Sequence, residues 1–152
     1  MNYVAVARSA LPSVDGLPIV KPPYGRITAI DLKTGGIAWQ VANGDTPPAV
    51  RDHPLLKGMT LPRTGSRSRA GLLATRTLLF AGEGWGGQPF FRALDKATGA
   101  TVWETAVPAV QTGPPMTYRH EGRQYVVFTV GDQERGIPAR LLAFALSGAT
   151  PR

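Results

Sequence analysis

The chain has 152 residues, a formal net charge of +7 and no cysteine, which excludes a disulfide framework and a thiolate metal site. Eighteen glycines and fourteen prolines fall between short apolar runs, a pattern typical of a many-turned all-β protein and not of a helical one. No apolar run approaches the length of a membrane span, and the first residues are too few and too charged for a signal peptide. We therefore expect neither a transmembrane segment nor an export signal within this sequence.

The positive charge raises nucleic acid as a class of partner. The arginines are scattered, however, and the nearest approach to a cluster is the loop-like segment 63–69. No interleaved aromatic residues and no nucleic-acid-binding motif accompany it. We expect no specific nucleic-acid binding.

Short apolar or alternating runs predict a series of β-strands along the whole chain. Residues 9–25 are rich in proline and glycine and are predicted to be loop, and residues 42–68 form a long connection with a short helical turn at 54–57. The predicted strands are 3–7, 26–32, 36–41, 71–75, 77–81, 90–94, 101–106, 116–120, 124–129 and 140–146. The strands between 71 and 106 are expected to form one four-stranded antiparallel sheet.

Two segments share the pattern A-x-D-x-x-T-G-x-x-x-W, one at residues 29–39 and the other at 93–103. Every matched position is offset by the same distance, 93 − 29 = 64 residues, which indicates an internal repeat. The polar and aromatic positions of the motif are Asp31, Thr34, Gly35 and Trp39 in the first copy and Asp95, Thr98, Gly99 and Trp103 in the second.

Each residue type in this repeat suits a hairpin with a large ring on its outgoing strand. The aspartate can accept hydrogen bonds from backbone N–H groups of the turn, and the glycine can adopt the positive φ that other residues resist. The tryptophan can cover a neighbouring sheet while its indole N–H donates to a carbonyl. An ordinary hairpin with a core tryptophan remains the simpler interpretation, but recurrence favours a motif that docks one sheet on the next.

The repeat resembles the tryptophan-docking motif of the quinoprotein dehydrogenases that use pyrroloquinoline quinone (PQQ). Residues 16–31, 53–58 and 115–127 are similar to the same family, in particular to the carboxy-terminal portion of its membrane-glucose-dehydrogenase-like branch. The resemblance covers about residues 2–146. It implies an all-β partial β-propeller, with about two to three four-stranded antiparallel blades of an eight-bladed propeller.

On this resemblance, residues 1–152 form a single propeller segment. We expect a partial blade at about 2–41, a long loop at 42–68, a complete blade at 69–107 and a partial blade at 113–146. A third, degenerate copy of the motif begins near the end, where Ala145 replaces the aspartate. Incomplete blades leave unpaired strand edges, so the expected partners are the remaining blades or a second copy of the chain.

The resemblance also implies PQQ and calcium as cofactors, with most ligands outside this chain. The catalytic aspartate and the calcium ligands of the family belong to earlier blades, so no catalytic or metal-binding residue is nominated here. By position, Arg69 and the pair Gly131 and Asp132 are candidate cofactor contacts, although a solvated loop arginine is the simpler interpretation of Arg69. Trp85 lies among glycines, and its side chain either lines the entrance to a substrate-binding cleft or packs on a neighbouring blade.

Two functional hypotheses follow. The first is a carboxy-terminal segment of a PQQ-dependent dehydrogenase that oxidises a sugar or alcohol hydroxyl by hydride transfer to the quinone, periplasmic like its family and inactive alone. The second is a non-enzymatic, propeller-like module for protein interaction or assembly. Earlier blades that carry the catalytic residues would distinguish the first hypothesis from the second.

Overall fold

The computed structural model describes residues 12–84 and 86–146. The predicted strand at 3–7 therefore lies outside the described residues. The described residues form antiparallel strands in small sheets. The strands are β1 (Ser13–Val14), β2 (Leu17–Pro18), β3 (Arg26–Ile30), β4 (Ile37–Ala42), β5 (Leu72–Ala74), β6 (Leu78–Gly82), β7 (Phe90–Asp95), β8 (Thr101–Ala106), β9 (Met116–His120), β10 (Arg123–Asp132) and β11 (Ile137–Ala145).

The sheets follow chain order. Strands β5, β6, β7 and β8 form the four-stranded antiparallel sheet that the sequence predicts, and β9, β10 and β11 form a three-stranded one. Strands β3 and β4 form a hairpin, as do the very short β1 and β2. Successive small antiparallel sheets packed face to face are the architecture of a partial β-propeller.

Two apolar clusters pack the sheets against one another. On one face of the four-stranded sheet, the Phe91 ring stacks on Phe128 of the three-stranded sheet with 3.8 Å between ring centroids, and Phe144 flanks both. On the other face, Leu94 packs with Ile27 of the β3–β4 hairpin. Strand β7 is covered on both faces, which explains its nearly continuous run of buried residues.

Two predictions for the connecting segments were incomplete. The stretch 9–25 is not wholly loop, because β1 and β2 pair across a turn in which Asp15 and Gly16 both have positive φ. The long connection holds an unpredicted α-helix, α1 (Pro48–Arg51), which starts with proline at a position that tolerates the missing N–H. The predicted helical turn is present as a 3₁₀ helix over Pro54–Leu56.

The strand predicted at 124–129 is longer than expected, so Gly131 and Asp132 lie within it and not after its end. Strand β10 continues through Asp132, and β11 begins at Ile137, earlier than predicted. A register irregularity between Val130 and Asp132 lets the strand carry a glycine and an aspartate, residue types that normally indicate a turn. In the part of the chain that the structure describes, no helix is long and apolar enough to cross a membrane.

Candidate functional site

Three of the candidate residues predicted from sequence line one open cleft of about 410 Å³. Arg69 reaches it from the irregular segment before β5, and Gly131 and Asp132 reach it from the end of β10. The other residues of the lining are Val110, Gln111, Thr112, Gln133 and Glu134. Trp85, the fourth candidate, lies outside the described residues.

Arg69 is exposed and belongs to the lining of the cleft, to which it adds a positively charged residue. The glycine-rich stretch after β6 runs directly against the backbone of the arginine-bearing segment. A Cβ on Gly84 would lie 1.5 Å from the carbonyl oxygen of Arg69, and one on Gly86 would lie 2.5 Å from that of Arg67. These glycines are needed for close packing of two backbones, which fixes the course of the chain at Arg69.

Asp132 is held in place by a local contact. Its Oδ1 accepts a hydrogen bond from the backbone N–H of Arg135 at 3.1 Å, and Arg135 Nε lies 3.5 Å from Oδ2. The neighbouring Gly131 is buried, and a Cβ there would lie 3.2 Å from the Cα of Ala139 on β11. Gly131 therefore has a packing role, and Arg135 offsets the charge of Asp132 before any ligand arrives.

Gln111 was missed by sequence reasoning, although it forms part of the cleft lining. It is 2% exposed, and its Nε2 donates to the carbonyl oxygens of Gly71 at 2.9 Å and Gly113 at 2.7 Å. Nothing in the local sequence distinguishes it from an ordinary loop glutamine. Its importance comes from contacts that are distant along the chain.

A buried ion-pair network is centred on Arg92 of the four-stranded sheet. Arg92 is 4% exposed and pairs with the fully buried Glu83 at 2.7 Å and with Glu104, which also contacts Arg63. Burial would raise the pKa of Glu104, but hydrogen bonds and charges from Arg92 and Arg63 outweigh it and hold that pKa below its usual value. Arg92 and Glu104 face each other in the hairpin register, so this pair could have been found from the repeat.

The network gives Glu83 a structural role. Besides its pair with Arg92, Glu83 accepts a hydrogen bond at Oε2 from the backbone N–H of Gln88 at 2.8 Å. These contacts and its complete burial make the Glu83 carboxylate part of the packed interior beside the sheet.

The first tryptophan of the repeat makes a contact between sheets. Trp39 Nε1 donates to the carbonyl oxygen of Lys96 at 3.0 Å, and a Cβ on Gly99 would lie 2.6 Å from the Trp39 ring. Trp103 of β8 also contacts another sheet, packing edge-on against Phe144 of β11 with 5.6 Å between centroids, but it is 40% exposed. The docking motif thus joins the β3–β4 hairpin to the four-stranded sheet.

The described residues were compared with the side-chain groups that usually hold a metal ion. Among them, no group of three or more His, Cys, Asp or Glu side chains is placed to hold a metal ion. The two histidines lie apart from the cleft lining: His53 Nε2 is 2.7 Å from the carbonyl oxygen of Asp15, and His120 lies beside Glu121 on the surface. Arg69, by contrast, fits a ligand that carries carboxylates, as PQQ does.

Comparison with known proteins identifies the family to which the chain is similar. The sequence model of the β-propeller domain of PQQ-dependent glucose, ethanol and alcohol dehydrogenases matches residues 1–126. The chain is 40% identical over 136 residues to a probable quinate dehydrogenase (quinone) from Xanthomonas campestris, covering 84% of this chain and 16% of that protein. It is 33% identical over 126 residues to quinoprotein glucose dehydrogenase A from Acinetobacter calcoaceticus, covering 81% of this chain and 15% of that protein.

A solved structure shows the same fold. The quinohemoprotein alcohol dehydrogenase from Comamonas testosteroni superposes with a TM-score of 0.61 at 24% identity, covering 89% of this chain and 18% of that one. The chain therefore spans roughly a sixth of the length of the relatives it matches. With the family match extending over most of the sequence, the chain belongs to the β-propeller family of the PQQ-dependent dehydrogenases.

Proposed function

We propose that this chain is the carboxy-terminal segment of a PQQ-dependent dehydrogenase that oxidises a hydroxyl group of a sugar or alcohol. In that proposal, residues 2–41 and 113–146 are partial blades, residues 69–107 are a complete blade, and 42–68 connect them. The observation that carries the proposal is that Arg69, Gly131 and Asp132 line one cleft. The names of similar proteins also support the proposal. They include dehydrogenases of quinate, glucose and glycerol, which are all compounds with several hydroxyl groups.

The contribution of this chain is to bind and orient the cofactor. PQQ, when bound, is the acceptor of the hydride removed from the hydroxyl-bearing carbon, so the redox chemistry belongs to the cofactor. Arg69 would pair with one of its carboxylates, in a charge-assisted and potentially bidentate contact. Because Arg135 already engages Asp132, that carboxylate opposes an anionic ligand less than a free one would.

The same proposal makes the segment inactive without the rest of the propeller. By family resemblance, the catalytic aspartate and the calcium ligands come from other blades, and the whole enzyme works in the periplasm. The partners are then the remaining blades, or further copies of the chain. Large apolar side chains stand exposed on the strands and turns that such partners would cover, among them Leu32 at 94% and Leu141 at 70%.

A titration of the purified chain with PQQ in calcium-containing buffer tests this proposal, read by cofactor fluorescence and by the melting temperature. We expect weak saturable binding without dehydrogenase turnover, and at least a tenfold loss of affinity in Arg69→Ala from removal of a charge-assisted contact. Arg67→Ala is the matched control, since Arg67 is an exposed arginine two residues away that is absent from the cleft lining.

Equal weakening by the two substitutions would mean non-specific attraction of an anion. No binding at all by a folded chain would contradict the cofactor-binding role of this chain. The alternative, a propeller-like module for protein assembly, is distinguished by whether the other blades carry the catalytic residues.

A further inference from the structure

Both walls of the cleft are attached to one short stretch of chain, residues 110–113. One wall is attached by its backbone, because Gly131 N–H donates to the carbonyl oxygen of Val110 at 3.0 Å and Gln111 forms an antiparallel bridge with Val130. The other wall, which carries Arg69, is attached to this stretch through the hydrogen bond from Gln111 to Gly71. The separation of the walls therefore depends on what holds Gly71 against Gly113.

The side-chain amide of Gln111 makes that connection. A primary amide has two N–H donors, and here one reaches the carbonyl oxygen of Gly71 and the other that of Gly113. Both carbonyl groups are backbone groups close in sequence to the cleft lining, since Gly71 lies two residues after Arg69 and Gly113 follows Thr112. Since the side chain is 2% exposed, water has little access to replace it.

Neighbouring residues leave room for this amide and hold the backbone of Gln111. A Cβ on Gly82 would lie 2.2 Å from Gln111 Oε1, so only glycine at the end of β6 leaves room for the side chain. The backbone N–H of Gln111 donates to the carbonyl oxygen of Glu83 at 2.8 Å, which ties the same residue to the glycine-rich stretch. Three separate segments thus converge on Gln111.

We propose that Gln111 is the positioning residue of this cleft, and that its amide sets the separation between Arg69 and Asp132 that a bound PQQ molecule meets. This inference rests on the proposed function, because it assigns a role to Gln111 toward the same ligand. Gln111 acts through the two walls and not by contact with the reacting atoms.

The test uses Gln111→Glu, which preserves size but replaces the amide donors with oxygen. At pH 7.5 the carboxylate would face two carbonyl oxygens and hold neither, so we expect the Kd for PQQ to rise ten- to a hundredfold, the range expected for a disrupted buried hydrogen bond. Burial beside carbonyl oxygens favours the protonated acid, whose O–H restores one donor. The ratio of variant to wild-type Kd should therefore shrink as the pH falls toward 5.

Gln133→Glu is the matched control. Gln133 lines the same cleft but is exposed, so this substitution adds an equal negative charge without removing the connection between the walls. It should weaken PQQ binding by less than Gln111→Glu at pH 7.5. A second variant, Gln111→Met, lacks both donors and charge, and its loss of affinity should not change between pH 7.5 and 5.

Hydrogen exchange of the chain without PQQ separates this inference from the proposed function. Peptides covering 69–74 and 112–114 should exchange faster in Gln111→Met than in the wild type, while peptides of β7 and β8 should not change. Unchanged exchange, or Gln111→Glu binding PQQ as tightly as wild type at pH 7.5, would overturn the positioning role. If the wild type does not bind PQQ but hydrogen exchange is still faster in Gln111→Met, the proposed cofactor binding is contradicted. Gln111 would then still hold the cleft walls.

Discussion

The two copies of the docking motif have nearly the same local structure but different surroundings. In both, the aspartate Oδ1 accepts the backbone N–H two residues later, at 2.8 Å for Asp31 and 3.0 Å for Asp95. In both, the glycine has positive φ, 70° at Gly35 and 76° at Gly99, and the register shifts at the same point of the hairpin. The local sequence therefore determines the turn.

The difference between the copies lies in what covers the turn. Gly99 is buried under the Trp39 ring, whereas Gly35 is exposed and an added Cβ would meet nothing within 4 Å. The covered turn also has two further hydrogen bonds, from the backbone N–H and the hydroxyl of Thr98 to Asp95 Oδ1, both at 2.9 Å. The comparison teaches that turn conformation is local, while the docking contact needs a neighbouring sheet.

The largest expected effect comes from removing the docked ring. Trp39→Ala removes a partly buried indole and its hydrogen bond to Lys96, so we expect a loss of about 3 kcal/mol in the free energy of unfolding. Trp103→Ala removes a more exposed ring with one aromatic contact and should cost about 1 kcal/mol. Urea unfolding followed by circular dichroism measures both.

Trp39→Phe refines this comparison because it keeps a ring but lacks the indole N–H. It should fall between the wild type and Trp39→Ala. Equal losses of unfolding free energy in Trp39→Ala and Trp103→Ala would mean that the two tryptophans stabilise the fold equally, contrary to the difference in their surroundings.

The second-largest expected effect comes from replacing the motif glycines, and it separates the cost of backbone strain from the cost of side-chain crowding. Gly35→Ala and Gly99→Ala both force a side chain into positive φ, which costs about 1 kcal/mol. Only at Gly99 does the new Cβ also collide with the Trp39 ring, so its total loss should be about 2 kcal/mol or more. The same unfolding measurement applies.

The double variant Gly99→Ala with Trp39→Ala gives the control, because the collision disappears with the ring. In that background Gly99→Ala should cost no more than Gly35→Ala costs in the wild type. An undiminished cost would show that crowding against Trp39 is not the cause.

Much of the fold could be predicted from sequence because its signals are local. The repeat located both hairpins, and the alternation of apolar and polar residues located most strands within a few positions. Helix α1 was missed because it is a single four-residue turn in a proline-rich segment. The extension of β10 was missed because Gly131 and Asp132 look like a turn, whereas Gly131 permits close packing on Ala139.

The site could be predicted only in part. The resemblance to a family pointed to Arg69, Gly131 and Asp132, and the structure places all three on one cleft, although their contact with a cofactor stays a prediction. Gln111 could not be found in this way, because its hydrogen bond to Gly71 spans 40 residues and depends on how two sheets pack. Long-range polar contacts have no periodicity that a sequence pattern could reveal.

The smallest expected effect concerns the charge in the covered turn. The Thr98 hydroxyl, together with the backbone N–H groups of Thr98 and Ala97, holds the pKa of Asp95 below its usual value. The carboxylate is thus favoured in the folded state, and its contribution to stability is fully present above the pKa of an unfolded aspartate. That contribution is lost as the pH falls through the lower folded pKa.

Asp95→Asn should therefore lower the melting temperature by a few degrees or less at pH 7, with the difference from wild type shrinking as the pH is lowered from 5 to 2.5. Thr98→Val is the companion variant, because it removes the hydroxyl that contributes most to the shift and should reduce the same pH dependence. Melting curves across this range measure both. A difference between wild type and Asp95→Asn that stays constant with pH would assign the role of Asp95 to turn geometry alone, and the two turns would then differ only in the ring that covers one of them.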